Sequence, residues 1–189
     1  MTPSHYLDIR LLPDPEFSPQ LLLDALYAKF HRALVQLSTQ QIGVSFPQFS
    51  LKPKQLGHHM RVHGSEAELS RLQSTTWLNG MRDHTECSTI CATPANALHC
   101  VFKRRQPKTN VERLRRRRMK RKGETAEQAL EAIPTTVARK PAWPFVNLRS
   151  LSTGQKFCLF IERGLESNNS TDGLFNAYGL SRIATVPWF

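Results

Sequence analysis

The sequence predicts an α+β fold. Three observations carry that expectation: two serine-led helix starts, short runs of alternating apolar residues around them, and their order along the first half of the chain. Residues 5–12 (His-Tyr-Leu-Asp-Ile-Arg-Leu-Leu) alternate as a first strand, closed by Pro13 and Pro15. Ser18 followed by Pro19 suits a helix start, because serine caps exposed amides and proline fits the first turn. From Leu21 to Leu37, Leu22, Ala25, Leu26, Lys29, Leu34 and Leu37 recur near helical spacing, which predicts a long amphipathic helix. Residues 42–49 and 56–63 read as two more strands. Ser65, with Glu68 three residues later, is a capping box for a second helix, and residues 85–93 form a fourth strand. Strand, helix, strand, strand, helix, strand is the ferredoxin-like order (βαββαβ), expected over residues 1–96.

Residues 97–189 are expected to form a second domain. Within it, 99–106 reads as a strand with a basic face, and Asn110 can cap a helix from Val111 to about Lys122, which Gly123 breaks. Thr125 with Gln128 is a further capping box, for a short helix ending at Pro134. Residues 144–152 and 156–163 read as a hairpin around Thr153-Gly154, Glu166–Gly173 as a polar loop, and Val186-Pro-Trp-Phe189 as an apolar terminus.

The 26 Lys and Arg residues exceed the 15 Asp and Glu residues by 11. Between Lys103 and Lys122 stand twelve basic residues and one acid, Glu112, so the whole excess sits there and the rest of the chain balances. A neutral protein with one cationic device points to a localised polyanion site. No apolar run reaches the ~18 residues of a membrane span. The start, Met1-Thr-Pro-Ser-His-Tyr-Leu-Asp, lacks the basic and apolar blocks of a signal peptide. Cys87, Cys91, Cys100 and Cys158 are irregularly spaced, so reduced thiols and a cytoplasmic location are expected.

At 100° per residue, Arg113, Arg116, Arg117, Lys120 and Arg121 share one broad helix face, while Leu114 and Met119 are the only apolar residues from 113 to 122. So thin an apolar stripe cannot pack deeply, and like charges at i,i+4 favour a partner that neutralises them. Nucleic acid fits, since arginine meets phosphates bidentately and reaches guanine edges. A solvated basic face or targeting signal is the alternative; a membrane-surface helix lacks its apolar face. Charge alone does not choose DNA or RNA, and Leu-Gly-His-His-Met-Arg-Val-His (56–63) lacks the aromatics of a base-stacking sheet.

Several blocks then carry a resemblance. His-Tyr-Leu-Asp-Ile-Arg-Leu (5–11), Ile-Gly-Val-Ser-Phe-Pro (42–47), Glu-Arg-Leu-Arg-Arg-Arg (112–117), Leu-Arg-Ser-x-Ser-Thr-Gly-Gln-x-Phe (148–157), Tyr-Gly-Leu-Ser (178–181) and Val-Pro-Trp-Phe (186–189) occur in order. Together they resemble the CRISPR repeat-processing endoribonuclease family of the type I-F system, over nearly the full chain. The resemblance implies an enzyme that binds the stem-loop of CRISPR repeat RNA and cuts once at the 3′ base of the stem. It implies no cofactor and no metal: the upstream 2′-hydroxyl attacks the adjacent phosphate, leaving a 2′,3′-cyclic phosphate and a 5′-hydroxyl. The product is expected to stay bound, with other subunits of a type I-F interference complex as partners and no membrane.

Residue by residue, His31 matches the family's catalytic histidine, and imidazole titrates near neutrality. Ser150 matches the serine that orients the 2′-hydroxyl, and Tyr178 the tyrosine beside the histidine. Arg104 and Gln106 match readers of base pairs at the foot of the stem, arginine suiting guanine and glutamine adenine. Phe157 matches the aromatic stacked beneath the terminal base pair. Arg117, Lys120 and Arg121 match helix positions closest to the stem, joined as RNA-binding residues by Arg113, Arg116, Ser152 and Thr153. Without the resemblance, His31 is a lone helix histidine, Phe157 a core strand residue and Tyr178 a half-buried strand residue.

The chain departs from the family at Lys120, where lysine keeps the charge but not the bidentate fork of arginine. Arg105 and Arg118 add charge at positions that are apolar in the family. The stretch Asp83–His99 carries none of the blocks of the resemblance, and His84, Cys87, Cys91, His99 and Cys100, with His58, His59 and His63, offer potential zinc ligands in no standard spacing. A non-catalytic subunit that binds an RNA hairpin is the rival function, and a DNA-binding regulator a weaker third.

Overall fold

The structure, a computed structural model, describes residues 2–107, 111–134, 141–150 and 153–189. The expected cap Asn110 and the expected RNA contact Ser152 lie outside the described residues. The chain is a mixed α+β protein whose strands pair antiparallel. Its described elements are β1 (His5–Leu11), α1 (Pro19–Leu37), β2 (Gly43–Ser45), β3 (Ser50–Leu51), β4 (Lys54–Gln55), β5 (His59–Gly64), α2 (Glu66–Ser74), β6 (Thr85–Cys87), β7 (Cys91–Ala92), β8 (Leu98–Cys100), β9 (Phe102–Arg105), α3 (Val111–Lys122), α4 (Ala126–Ala132), β10 (Phe145–Arg149), β11 (Lys156–Arg163) and β12 (Val186–Trp188). They fall into two compact units, Met1–Arg105 with Trp143–Phe189, and Gln106–Ala142. Among the described residues no helix is long and apolar enough to cross a membrane.

The first unit is built on a sheet of order β2-β5-β1-β6, with β7 also paired to β1. Leu7, Ile9 and Leu11 alternate inward from β1, as the period of two requires. Ser18 accepts a hydrogen bond from the Leu21 N–H, and Pro19 occupies the first turn, so α1 starts where the sequence sets it. Its buried stripe, Leu22, Leu23, Leu26, Tyr27, Phe30, Ala33 and Leu34, joins Val44, Met60 and Val62 in one core. Burying each large apolar side chain contributes about 1.5–3 kcal/mol. On β5 the alternate residues His59, Arg61 and His63 are buried too. Arg61 meets Asp8 directly across the ladder and packs its guanidinium on the Phe189 ring at 3.8 Å.

Several expected strands are shorter or divided. The 42–49 strand stops at Ser45: Pro47 has no N–H to offer, and the Phe49 N–H turns back to the Phe46 carbonyl. The 85–93 strand divides because Cys87 faces Ile9 while Cys91 faces Tyr6, four residues against three, which is a bulge at Ser88. The 99–106 strand divides at Val101, where the chain leaves one sheet for another: Cys100 faces Val186, but Phe102 faces Arg163. The apolar terminus is itself a strand, β12. The capping box of α2 is half formed, since Ser65 accepts the Glu68 N–H while the Glu68 carboxylate is held by Thr39 and Arg71.

In the second unit the Thr125–Gln128 capping box of α4 is complete in both directions. Gly123, at φ +67°, ends α3 in the left-handed conformation that suits glycine.

Candidate functional site

The site begins with two elements laid side by side. Four helix residues rise about 6 Å and two strand residues about 6.6–6.8 Å, so α1 and β10 stay nearly in step. Gln20 Nε2 donates to the Phe145 carbonyl at 3.2 Å. One turn on, Asp24 accepts from both the backbone and the side-chain amide of Asn147. The next helical position is Ala28, too small to close the gap, and there a cleft of about 680 Å³ opens. His31, Ser150, Tyr178 and Phe157 line it together.

His31 Nδ1 lies 2.7 Å from the Ala177 carbonyl oxygen. A carbonyl only accepts, so Nδ1 carries the hydrogen and the neutral ring keeps its lone pair on Nε2. The Tyr178 ring stacks on the imidazole, centroids 4.2 Å apart and planes 14° from parallel. That partner is rigidly held. Asn176 Oδ1 accepts the Tyr178 N–H, the Tyr27 hydroxyl donates to the Tyr178 carbonyl at 2.7 Å, and the Val44 N–H donates to the Gly179 carbonyl. Gly179 has φ +70°, and a Cβ there would stand 2.9 Å from the Phe30 ring, so only glycine fits this turn.

Ser150 sits where β10 ends. Its carbonyl accepts the Gly154 N–H, its N–H donates to the Gln155 carbonyl, and its Oγ accepts the Thr153 N–H at 3.3 Å. Thr153 is exposed in that turn, and Phe157 is half-buried against the core while also facing the cleft. Arg104 on β9 places its guanidinium 5.9 Å from the Phe157 ring and 5.8 Å from the Tyr178 ring. Its Nε is buried with no hydrogen-bond partner among the described residues.

In the second unit Gln106 is exposed, as are Arg113, Arg116, Arg117, Lys120 and Arg121 along α3. The other arginines of the helix face inward. Arg115 is buried, donating to the Ile133 carbonyl and pairing with Glu112, and Arg118 makes a two-pronged pair with Glu124 at 2.6 and 3.1 Å. The added charge at Arg118 is therefore matched by an acid, and Arg105 is likewise matched by Glu162 and lies over the Trp143 ring.

The histidines and cysteines between 84 and 100 are dispersed. His84 pairs with Asp14 at 2.9 Å, Cys87 and Cys91 lie on separate strands, and burial pushes the Cys100 thiol up to about 12. Among the described residues no three His, Cys, Asp or Glu side chains converge as a metal site would need. Sequence reasoning missed Asp24, Asn147, Arg32 and Arg149; the first two lie 123 positions apart, and only the Leu-Arg-Ser block hinted at the last.

Fold and site together define an α+β protein with a histidine–serine–tyrosine cleft and a separate arginine-rich helix. Residues 6–189 match the family model described as CRISPR-associated protein (Cas_Csy4). The chain is 46% identical over 185 residues to the CRISPR-associated endonuclease Cas6/Csy4 of Pseudomonas aeruginosa (strain UCBPP-PA14), covering 98% of this chain and 99% of that one. It is 43% identical, with the same coverage, to the CRISPR-associated endonuclease Cas6/Csy4 of Escherichia coli (strain UTI89 / UPEC). The chain belongs to the Cas_Csy4 family, and the resemblance to the type I-F CRISPR repeat-processing endoribonucleases is borne out.

Proposed function

We propose that this protein is a sequence- and structure-specific endoribonuclease that cleaves CRISPR repeat RNA at the 3′ base of its stem-loop, yielding mature guide RNA for antiviral defence. It works in the cytoplasm without a metal, remains on its product, and joins other subunits of a type I-F interference complex. Relatives named CRISPR-associated endonuclease support the activity. The observation that carries the mechanism is the His31 tautomer: Nδ1–H is committed to Ala177, so Nε2 is the atom available to take a proton.

In this mechanism Ser150 holds the upstream 2′-hydroxyl and Tyr178 fixes the imidazole plane. His31 Nε2 removes the hydroxyl proton, the 2′-oxygen attacks the adjacent phosphorus, and the 5′-oxygen leaves with a proton. The products are a 2′,3′-cyclic phosphate and a 5′-hydroxyl. The sheet order β2-β5-β1-β6, with α1 and α2 as crossovers, supports a ferredoxin-like reading of residues 1–96. Residues 97–189 supply RNA recognition: Arg104 and Gln106 read the foot of the stem, Phe157 stacks beneath it, and Ser152, Thr153, Arg113, Arg116, Arg117, Lys120 and Arg121 hold its backbone.

The test is incubation of repeat RNA in EDTA beside an RNA with one 2′-deoxy nucleotide upstream of the cut. Cleavage of the first and binding alone of the second is expected, with His31→Ala binding but not cutting. Parent-rate cleavage by His31→Ala would sink the mechanism; tight binding without cutting by the parent protein would favour a hairpin-binding subunit.

A further inference from the structure

We propose, on the basis of that endoribonuclease reading, that Arg32 and Arg149 form a guanidinium clamp on the scissile phosphodiester. Both line the same cleft as His31 and Ser150. Arg32 follows His31 on α1 and belongs to one wall; Arg149 precedes Ser150 at the end of β10 and belongs to the other. Each guanidinium is thus carried one residue from a group that handles the 2′-hydroxyl.

The two side chains are held in a similar way. Arg32 Nε donates to the Ala28 carbonyl at 3.2 Å, and Arg149 Nε donates to the Gly154 carbonyl at 2.9 Å. Those bonds commit the inner nitrogen and leave the terminal amino groups, the part of the fork that meets a phosphate. Several other arginines are neutralised by acids: Arg61 meets Asp8, Arg105 meets Glu162, and Arg118 meets Glu124. Among the described residues, neither Arg32 nor Arg149 has a carboxylate partner and no acid lines the cleft.

The chemistry calls for such donors. As the bond from the 2′-oxygen to phosphorus forms and the bond to the 5′-oxygen breaks, one proton passes to His31 and one is taken up by the leaving oxygen. No proton is consumed overall. Between those events the phosphorane carries one more negative charge than the diester, spread on the non-bridging oxygens. His31, Ser150 and Tyr178 bring no fixed cation to that charge. Two guanidiniums from opposite walls supply it, already oriented before the reaction.

Single-turnover cleavage and equilibrium binding of the 2′-deoxy repeat RNA test the clamp in Arg32→Gln, Arg149→Gln and the corresponding lysine variants. Each glutamine variant should cleave about 10–100-fold more slowly, while affinity changes by less than about threefold and lysine restores part of the rate. Replacing a non-bridging oxygen of the scissile phosphate with sulfur should slow the parent protein more than Arg149→Gln. Parent-like rates in both glutamine variants, with His31→Ala inert, would overturn the clamp and leave the endoribonuclease standing. So would a loss confined to affinity, which would place the guanidiniums on phosphates away from the reaction. A parent protein that binds the RNA but never cuts it would remove the endoribonuclease reading and the clamp with it.

Discussion

Asp24 on α1 accepts two hydrogen bonds from Asn147 on β10, one from the backbone N–H and one from the side-chain amide, each 2.8 Å long. His31 lies two helical turns beyond Asp24, and Ser150 lies three residues beyond Asn147. The pair therefore sets the register between the helix that carries His31 and the strand that leads into Ser150. It is partly open to water, so each bond is worth about 0.5–1.5 kcal/mol at most.

Asp24→Ala is expected to slow single-turnover cleavage by about 3–10-fold and to change affinity for the 2′-deoxy RNA far less. Asp24→Asn keeps an acceptor for the Asn147 backbone and should recover part of the rate. A loss that appears only as a lower melting temperature, with kcat unchanged, would reduce the pair to a simple structural contact.

Tyr178 meets His31 through its ring face, and its place is set by backbone bonds to Asn176 and Tyr27. Stacking should survive loss of the hydroxyl but not of the ring. Tyr178→Phe is expected to cleave within about threefold of the parent, and Tyr178→Ala about 10–100-fold more slowly. Comparable damage from both changes would assign the phenol oxygen a part in the chemistry.

The legible parts of this protein were those governed by local physics. Alternation in 5–12 and the Ser18-Pro19 cap set β1 and α1 because neighbouring residues decide them. The break at Val101 was not legible: nothing local says that Cys100 will pair with Val186 and Phe102 with Arg163. Nor was the bulge at Ser88, which depends on how β6 and β7 share β1. The catalytic candidates show the same divide. A lone histidine on a helix has no signature of its own, so His31 came from the resemblance, while its fixed tautomer required the Ala177 carbonyl, 146 positions away.

The arginines of α3 should separate into two classes. Arg117 is exposed, whereas Arg118 is committed to Glu124. Each phosphate neutralised steepens the fall of log K with log salt by about 0.7–0.9. Arg117→Ala should weaken RNA binding and reduce that slope by about 1. Arg118→Ala should leave the slope nearly unchanged and instead lower helicity, read by far-UV circular dichroism. Equal slopes for the two variants would contradict the division.

Acid should weaken the fold through His63. The ring is fully buried on β5, with Nε2 2.8 Å from the Ser45 hydroxyl. Burial, aided by the Arg61 charge and opposed by Asp8, brings its pKa down to about 3. The unfolded chain takes up this proton near pH ~6.5, so the contribution is complete above that value and is lost as pH falls toward 3, by up to ~1.4 kcal/mol per pH unit. Asp8 does not blur the window. Burial raises its carboxyl, but hydrogen bonds and charge from His59 and Arg61 outweigh that and hold it well below the usual range. Its contribution therefore stands until the pH drops past the unfolded value of ~3.9. Urea unfolding between pH 7 and 4.5 should show stability falling in the parent protein and a shallower fall in His63→Gln, which cannot titrate. Parallel pH dependences would mean that the buried ring is protonated in the folded protein.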